Sequence, residues 1–71
     1  MTQKPMWFGE RPAKCDLCGA HFKSRDHFID GRTVYGPWGI MCDGCHARHG
    51  CGLGTGKGQR YSWDTLEKVE G

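Results

Sequence analysis

A chain of 71 residues that is only 37 % hydrophobic makes one domain and holds too little apolar side chain to fold on burial alone, so a disulfide or metal staple is expected. Its five cysteines leave one over from any full set of disulfides and its first residues lack a secretory apolar stretch, which points to a reducing cytosol. No apolar run nears the roughly 18 residues of a bilayer span, which argues against a membrane protein, and the net charge of +2 does not by itself announce a nucleic-acid binder.

Residues 1–14 contain Pro5, Pro12 and the pair Trp7-Phe8 without helical periodicity, which predicts an extended N-terminal arm. Trp7 and Phe8 are expected to fold back over a domain short of core, or else to dock on a partner. Residues 15–49 form the central module. Cys15-Asp-Leu-Cys18 and Cys42-Asp-Gly-Cys45 are two Cys-x2-Cys pairs, a spacing that gathers thiolates in a tetrahedron around one zinc ion. Gly19 follows the first pair where a metal knuckle turns through positive φ. With Cys15, Cys18, Cys42 and Cys45 all acting as ligands, no coordination position is left for water, so the zinc is expected to be structural.

Between the pairs, Asp30-Gly31 reads as the centre of a two-residue hairpin turn that pairs Ile29 with Arg32, Phe28 with Thr33 and His27 with Val34. Gly36-Pro37 ends that hairpin, and Trp38 to Met41 reads as a third strand leading into Cys42, with Trp38 as the main core residue. After Cys45, His46 to His49 make one helical turn that Gly50 stops. The expected fold class is small, metal-stabilised and mainly β: a zinc ribbon with a three-stranded antiparallel sheet and irregular tails. A rudimentary treble clef is the alternative, favoured if a full-length helix follows Cys45.

Residues 50–60 alternate glycine with other residues and read as a Gly-rich basic loop, either mobile or closely approaching another group. Residues 46–60 carry +3 and residues 61–71 carry −2, so an anionic partner is sought near the loop. The run is no nucleotide-binding loop, because Cys51 stands where the first glycine belongs and Gly58 where the magnesium-binding hydroxyl belongs. Arg48, Lys57 and Arg60, with Lys23 and Arg25, are instead candidate contacts to phosphates or another acidic surface. One of His46 and His49 is expected to hydrogen-bond a metal-bound sulfur and the other to be solvated, with Cys51 a spare thiol. Residues 61–71 suggest a short helix capped by Ser62, with a strand or hairpin as the alternative.

Asp26-His27 followed by Cys42-Asp-Gly-Cys45-His46-Ala-Arg48-His49 resembles the skeleton of HNH endonucleases, which implies His27 as the group that activates water and a later histidine on a catalytic metal. The chain has no asparagine, and Gly50 cuts the helix that would carry the last histidine. A second resemblance covers residues 14–61. The elements Asp30-Gly31, Gly36-Pro37-Trp38, Met41-Cys42-Asp-Gly-Cys45-His46 and Gly52-Leu-Gly-Thr-Gly-Lys57-Gly-Gln59 resemble small zinc-ribbon proteins of tailed bacteriophages and prophages. That resemblance implies a phage origin, the four cysteines as zinc ligands and an ordered Gly-Lys loop, with the host cytoplasm or the virion as the location. The expected function is a structural-zinc module that contacts nucleic acid or a host nucleic-acid-processing protein. The alternatives are a structural or inhibitory protein-interaction piece using Trp7 and Phe8, and an HNH-like nuclease. No small-molecule substrate is expected.

Overall fold

The computed structural model describes residues 6–71; residues 1–5, which include Pro5 of the expected arm, lie outside the described part. The sheet is decided by two neighbouring residues. Phe28 and Ile29 are both fully buried, and because successive strand side chains point to opposite faces, β1 (His27–Arg32) must be covered on both sides. It is flanked by β2 (Trp38–Met41) and β3 (Gly58–Ser62), with β4 (Lys68–Glu70) beyond β3, giving the order β2-β1-β3-β4. All pairings are antiparallel. A seven-residue helix, α1 (Asp43–His49), and a 3-10 turn at Phe22–Ser24 complete the described elements. The result is a small, mainly β, zinc-ribbon-like fold with four strands where three were expected.

The face bearing Phe28 is aromatic. Tyr61 lies opposite Phe28 and stacks on it at 5.4 Å, Trp7 meets both rings edge-on, and Phe22 approaches from the 3-10 turn. Trp7 therefore folds back as expected, tied by its N–H to the Leu66 carbonyl and by its indole N–H to the Glu10 carbonyl. Phe8 does not, and stands 93 % exposed. On the other face Ile29 sits between Met41 and Arg60 in register, and Arg60 reaches Asp43 of α1.

Four sequence expectations need correction. First, β1 runs straight through Asp30-Gly31, and the pairs formed are Ile29 with Met41, Asp30 with Ile40, Gly31 with Gly39 and Arg32 with Trp38. The reason is a row of facing glycines: Gly58 lies opposite Gly31, and a methyl group on Gly58 would sit 3.0 Å from the Gly31 Cα and 3.2 Å from the Asp30 carbonyl. These glycines serve close backbone approach, not a turn. The actual reversal is at Thr33–Pro37, where Gly36 takes φ +112 and both the N–H and hydroxyl of Thr33 donate to the Pro37 carbonyl. Second, Trp38 is 49 % exposed, because it sits on an edge strand opposite Arg32; Phe22, Phe28, Ile29 and Met41 fill the core. Third, α1 begins inside the second cysteine pair rather than after it, and its C-terminal residue is followed by Gly50 as expected. A methyl at Gly50 would lie 2.7 Å from the His46 carbonyl. The second pair thus opens a helix, but that helix ends at His49 and is not the full-length one that would favour the treble-clef alternative. Fourth, Ser62 caps only one turn, accepting from the Thr65 N–H at 3.3 Å, before Leu66 at φ 65 breaks the helical path. The chain then enters β4, the strand alternative. The Gly-rich run is ordered in part: Gly54 and Gly58 close a tight turn that feeds β3.

Candidate metal centre and the cationic surface

Each cysteine pair is held by backbone hydrogen bonds that the sequence makes locally. In the first, the Cys15 N–H donates to the Ala20 carbonyl and the Gly19 N–H to the Cys15 carbonyl, both at 2.9 Å, with Gly19 at φ +76 as the knuckle needs. In the second, Cys42 ends the extended chain leaving β2 and Cys45 lies in the first turn of α1, closed by the His46 N–H donating to the Cys42 carbonyl. The first knuckle is clamped on the edge of β2: the Asp16 N–H donates to the Ile40 carbonyl at 2.8 Å, and the Asp16 carboxylate accepts from the Ile40 N–H at 2.9 Å.

These supports bring the four sulfurs of Cys15, Cys18, Cys42 and Cys45 within 4.8 Å of one another, a group able to hold a metal ion. Cys18 and Cys42 are 3.7 Å apart. Cys15, Cys42 and Cys45 are buried and Cys18 is exposed. Burial by itself pushes the Cys15 thiol up, but the backbone N–H groups of Cys18, Cys42 and Leu17 aimed at its sulfur outweigh that and bring it to about 6. Cys45 is pushed up to about 12 by burial and by the three other sulfurs around it. The Cys15 thiolate is thus favoured while Cys45 resists ionisation, and a divalent cation at the centre of the group removes that conflict.

The cations named from the sequence do not converge. Lys23 and Arg25 line a cleft of about 380 Å³ at the His27 end of β1, where Asp26 and Asp64 share the wall. Arg60 is bound between carboxylates, 3.2 Å from Asp43 and 3.0 Å from Glu70, so it straps α1 to β4. Arg48 and Lys57 are exposed at the opposite end of β1, together with Arg32, the last residue of that strand. The Arg32 N–H donates to the Lys57 carbonyl, its carbonyl accepts from the Cys51 N–H, and the Val34 N–H donates to the carbonyl of His49, next to Arg48. Among the described residues none of Arg32, Arg48 and Lys57 is in an ion pair.

Exposed apolar residues crowd the same end: Val34 at 61 %, Tyr35 at 70 % and Trp38 at 49 %. Their signal in the sequence was subtraction. Residues 31–42 and 44–63 contain no Asp or Glu, and these are the two stretches that meet there. The histidines also depart from expectation. His46 Nε2 lies 2.9 Å from the Gly52 carbonyl and His49 Nδ1 lies 2.9 Å from the Tyr35 hydroxyl, rather than one of them on a cysteine sulfur. His27 pairs with Ser62 at one end of β1 while His49 lies beyond the other, roughly 20 Å away by strand rise, so the two histidines of the nuclease skeleton are not brought together. Among the described residues the four cysteines are the one group of side chains at metal-ligand distance. No helix among them is long and apolar enough to cross a membrane. A scan against protein-family models and searches of curated proteins and of solved structures give no match.

Proposed function

We propose that the chain is a structural-zinc module that binds nucleic acid through the end of its sheet that carries Arg32, Arg48 and Lys57. Bonds of about 2.3 Å to a tetrahedral ion separate its sulfurs by about 3.8 Å, which the 3.7 Å between Cys18 and Cys42 matches, and zinc is the ion that structural four-cysteine sites of paired Cys-x2-Cys turns hold. Four thiolates fill the coordination sphere, so the metal holds the fold and does not process a substrate. The resemblance to phage zinc-ribbon proteins agrees with this and with a partner met inside a bacterial cell.

The observation that carries the binding role is that Arg32, Arg48 and Lys57, on two stretches without Asp or Glu that meet at this end of the sheet, form no ion pair among the described residues. Three cations in no ion pair among the described residues stay available to a polyanion, whereas Lys23 and Arg25 share their cleft with carboxylates and Arg60 is already paired with two. Binding should weaken steeply with salt, because each phosphate neutralised releases counterions. The test is a fluorescence-anisotropy titration of labelled oligonucleotides at rising salt. Changing Arg32, Arg48 and Lys57 together to Gln should lower affinity at least tenfold and flatten the salt dependence, while Lys23→Gln with Arg25→Gln should do much less. Equal losses from the two sets would refute the assignment of the surface. Salt-insensitive capture of a protein partner that fails without residues 1–12 would support the interaction role of Trp7 and Phe8 instead.

A further inference from the structure

Resting on the nucleic-acid reading, we infer that the ligand is a single strand, whose bases stack on Trp38 and Tyr35 while Arg32, Arg48 and Lys57 hold its backbone. Cross-strand partners share a face of the sheet, so Trp38 and Arg32, paired in register, present a ring and a cation side by side. Tyr35 stands in the turn that joins their strands, its hydroxyl 2.9 Å from His49 Nδ1, which fixes the ring at the protein surface at a point where it is 70 % exposed.

The core does not need either ring. Phe22, Phe28, Ile29 and Met41 fill it, and Trp7, Tyr61 and Trp63 pack around it. Two large rings left in water at the end of the sheet that also carries Arg32, Arg48 and Lys57 match the requirements of single-strand binding: aromatic platforms for bases and positive charge along the backbone. A duplex cannot use the rings in this way, since both faces of each internal base are already stacked. The basic end of α1 is also poorly suited to a groove, because the helix has only seven residues and its first turn is taken up by Cys45.

The test uses the zinc-loaded full chain with labelled oligothymidine and a duplex of the same length. The single strand should bind at least about tenfold more tightly than the duplex, and Trp38→Ala should lose about tenfold on the single strand with little change on the duplex. Trp38→Phe should keep most of the affinity. Trp38→Leu, which keeps apolar volume but has no ring, should behave like Trp38→Ala and guards against a folding defect, as does unchanged zinc content. Duplex binding equal to or tighter than single-strand binding, or full single-strand affinity in Trp38→Leu, would overturn the strand preference and leave the nucleic-acid reading intact. Absence of binding to both oligonucleotides at low salt would overturn the nucleic-acid reading itself.

Discussion

Cys45 has much to gain from a cation, since burial and three neighbouring sulfurs push its thiol up to about 12 and a bound metal ion lets it ionise at neutral pH. Cys45→Ser should therefore abolish stoichiometric metal and unfold the chain, whereas Cys51→Ser should change neither, as elemental analysis and far-UV circular dichroism will show. A second charge is tuned by burial alone: the Asp30 carboxyl is held above the ordinary aspartate range, and Tyr61, raised first by burial and then by the Asp30 carboxylate, follows it. A carboxyl that holds its proton more tightly when folded costs stability as pH rises from the ordinary aspartate range through its raised value. Asp30→Asn should thus be more stable than the natural protein at neutrality, by a margin that narrows as pH falls, in urea melts of zinc-loaded samples over the pH range in which zinc stays bound. At this scale the grouping of Cys15, Cys18, Cys42 and Cys45 was fully legible in the sequence, because Cys-x2-Cys spacing encodes a local turn that needs no long-range information. Trp38 was not, since its exposure depends on which strand becomes the edge. Arg32, likewise, gained its position only from the register of β1 on β2.

Among the elements, the glycine row across β2, β1 and β3 does most to set the geometry. A methyl at Gly58 would strike the backbone of Gly31, Asp30 and Gly52, all within 3.2 Å, while one at Gly39 would meet only the Asp16 side chain at 3.6 Å. Gly58→Ala should cost about 1–3 kcal/mol, as overpacking does, and Gly39→Ala less than about 0.5 kcal/mol, measured by chemical denaturation. Arg60 ties the metal-bearing helix to the last strand through Asp43 and Glu70. Because both carboxylates are more than half exposed, Arg60→Ala is expected to loosen β4 more than to destabilise the whole. Faster amide hydrogen exchange over residues 68–70 with zinc content unchanged is the signature. The strand at 38–41 and the stop at Gly50 were readable from local chemistry. The Asp30-Gly31 turn was misread because a dipeptide suited to a hairpin is also what a crowded strand crossing requires, and the terminal helix was misread because nothing in the sequence marks Leu66 for positive φ.

Across the whole molecule, the sheet supplies a two-sided core too small for comfort, and the metal group closes the remaining gap by joining the first knuckle, the edge of β2 and the start of α1. Structural zinc of this kind contributes about 10–16 kcal/mol of apparent binding free energy at neutral pH, enough to decide between folded and unfolded for a 71-residue chain. The fold class followed from composition and cysteine spacing; the cationic surface did not, since it exists only where two carboxylate-free stretches are folded together. Native mass spectrometry of the purified, reduced chain tests the central claim most directly. One zinc ion per folded chain, with the compact charge-state distribution lost on chelation, is the expected result. A chain that stays compact with no metal bound, or that carries iron in its place, would contradict it.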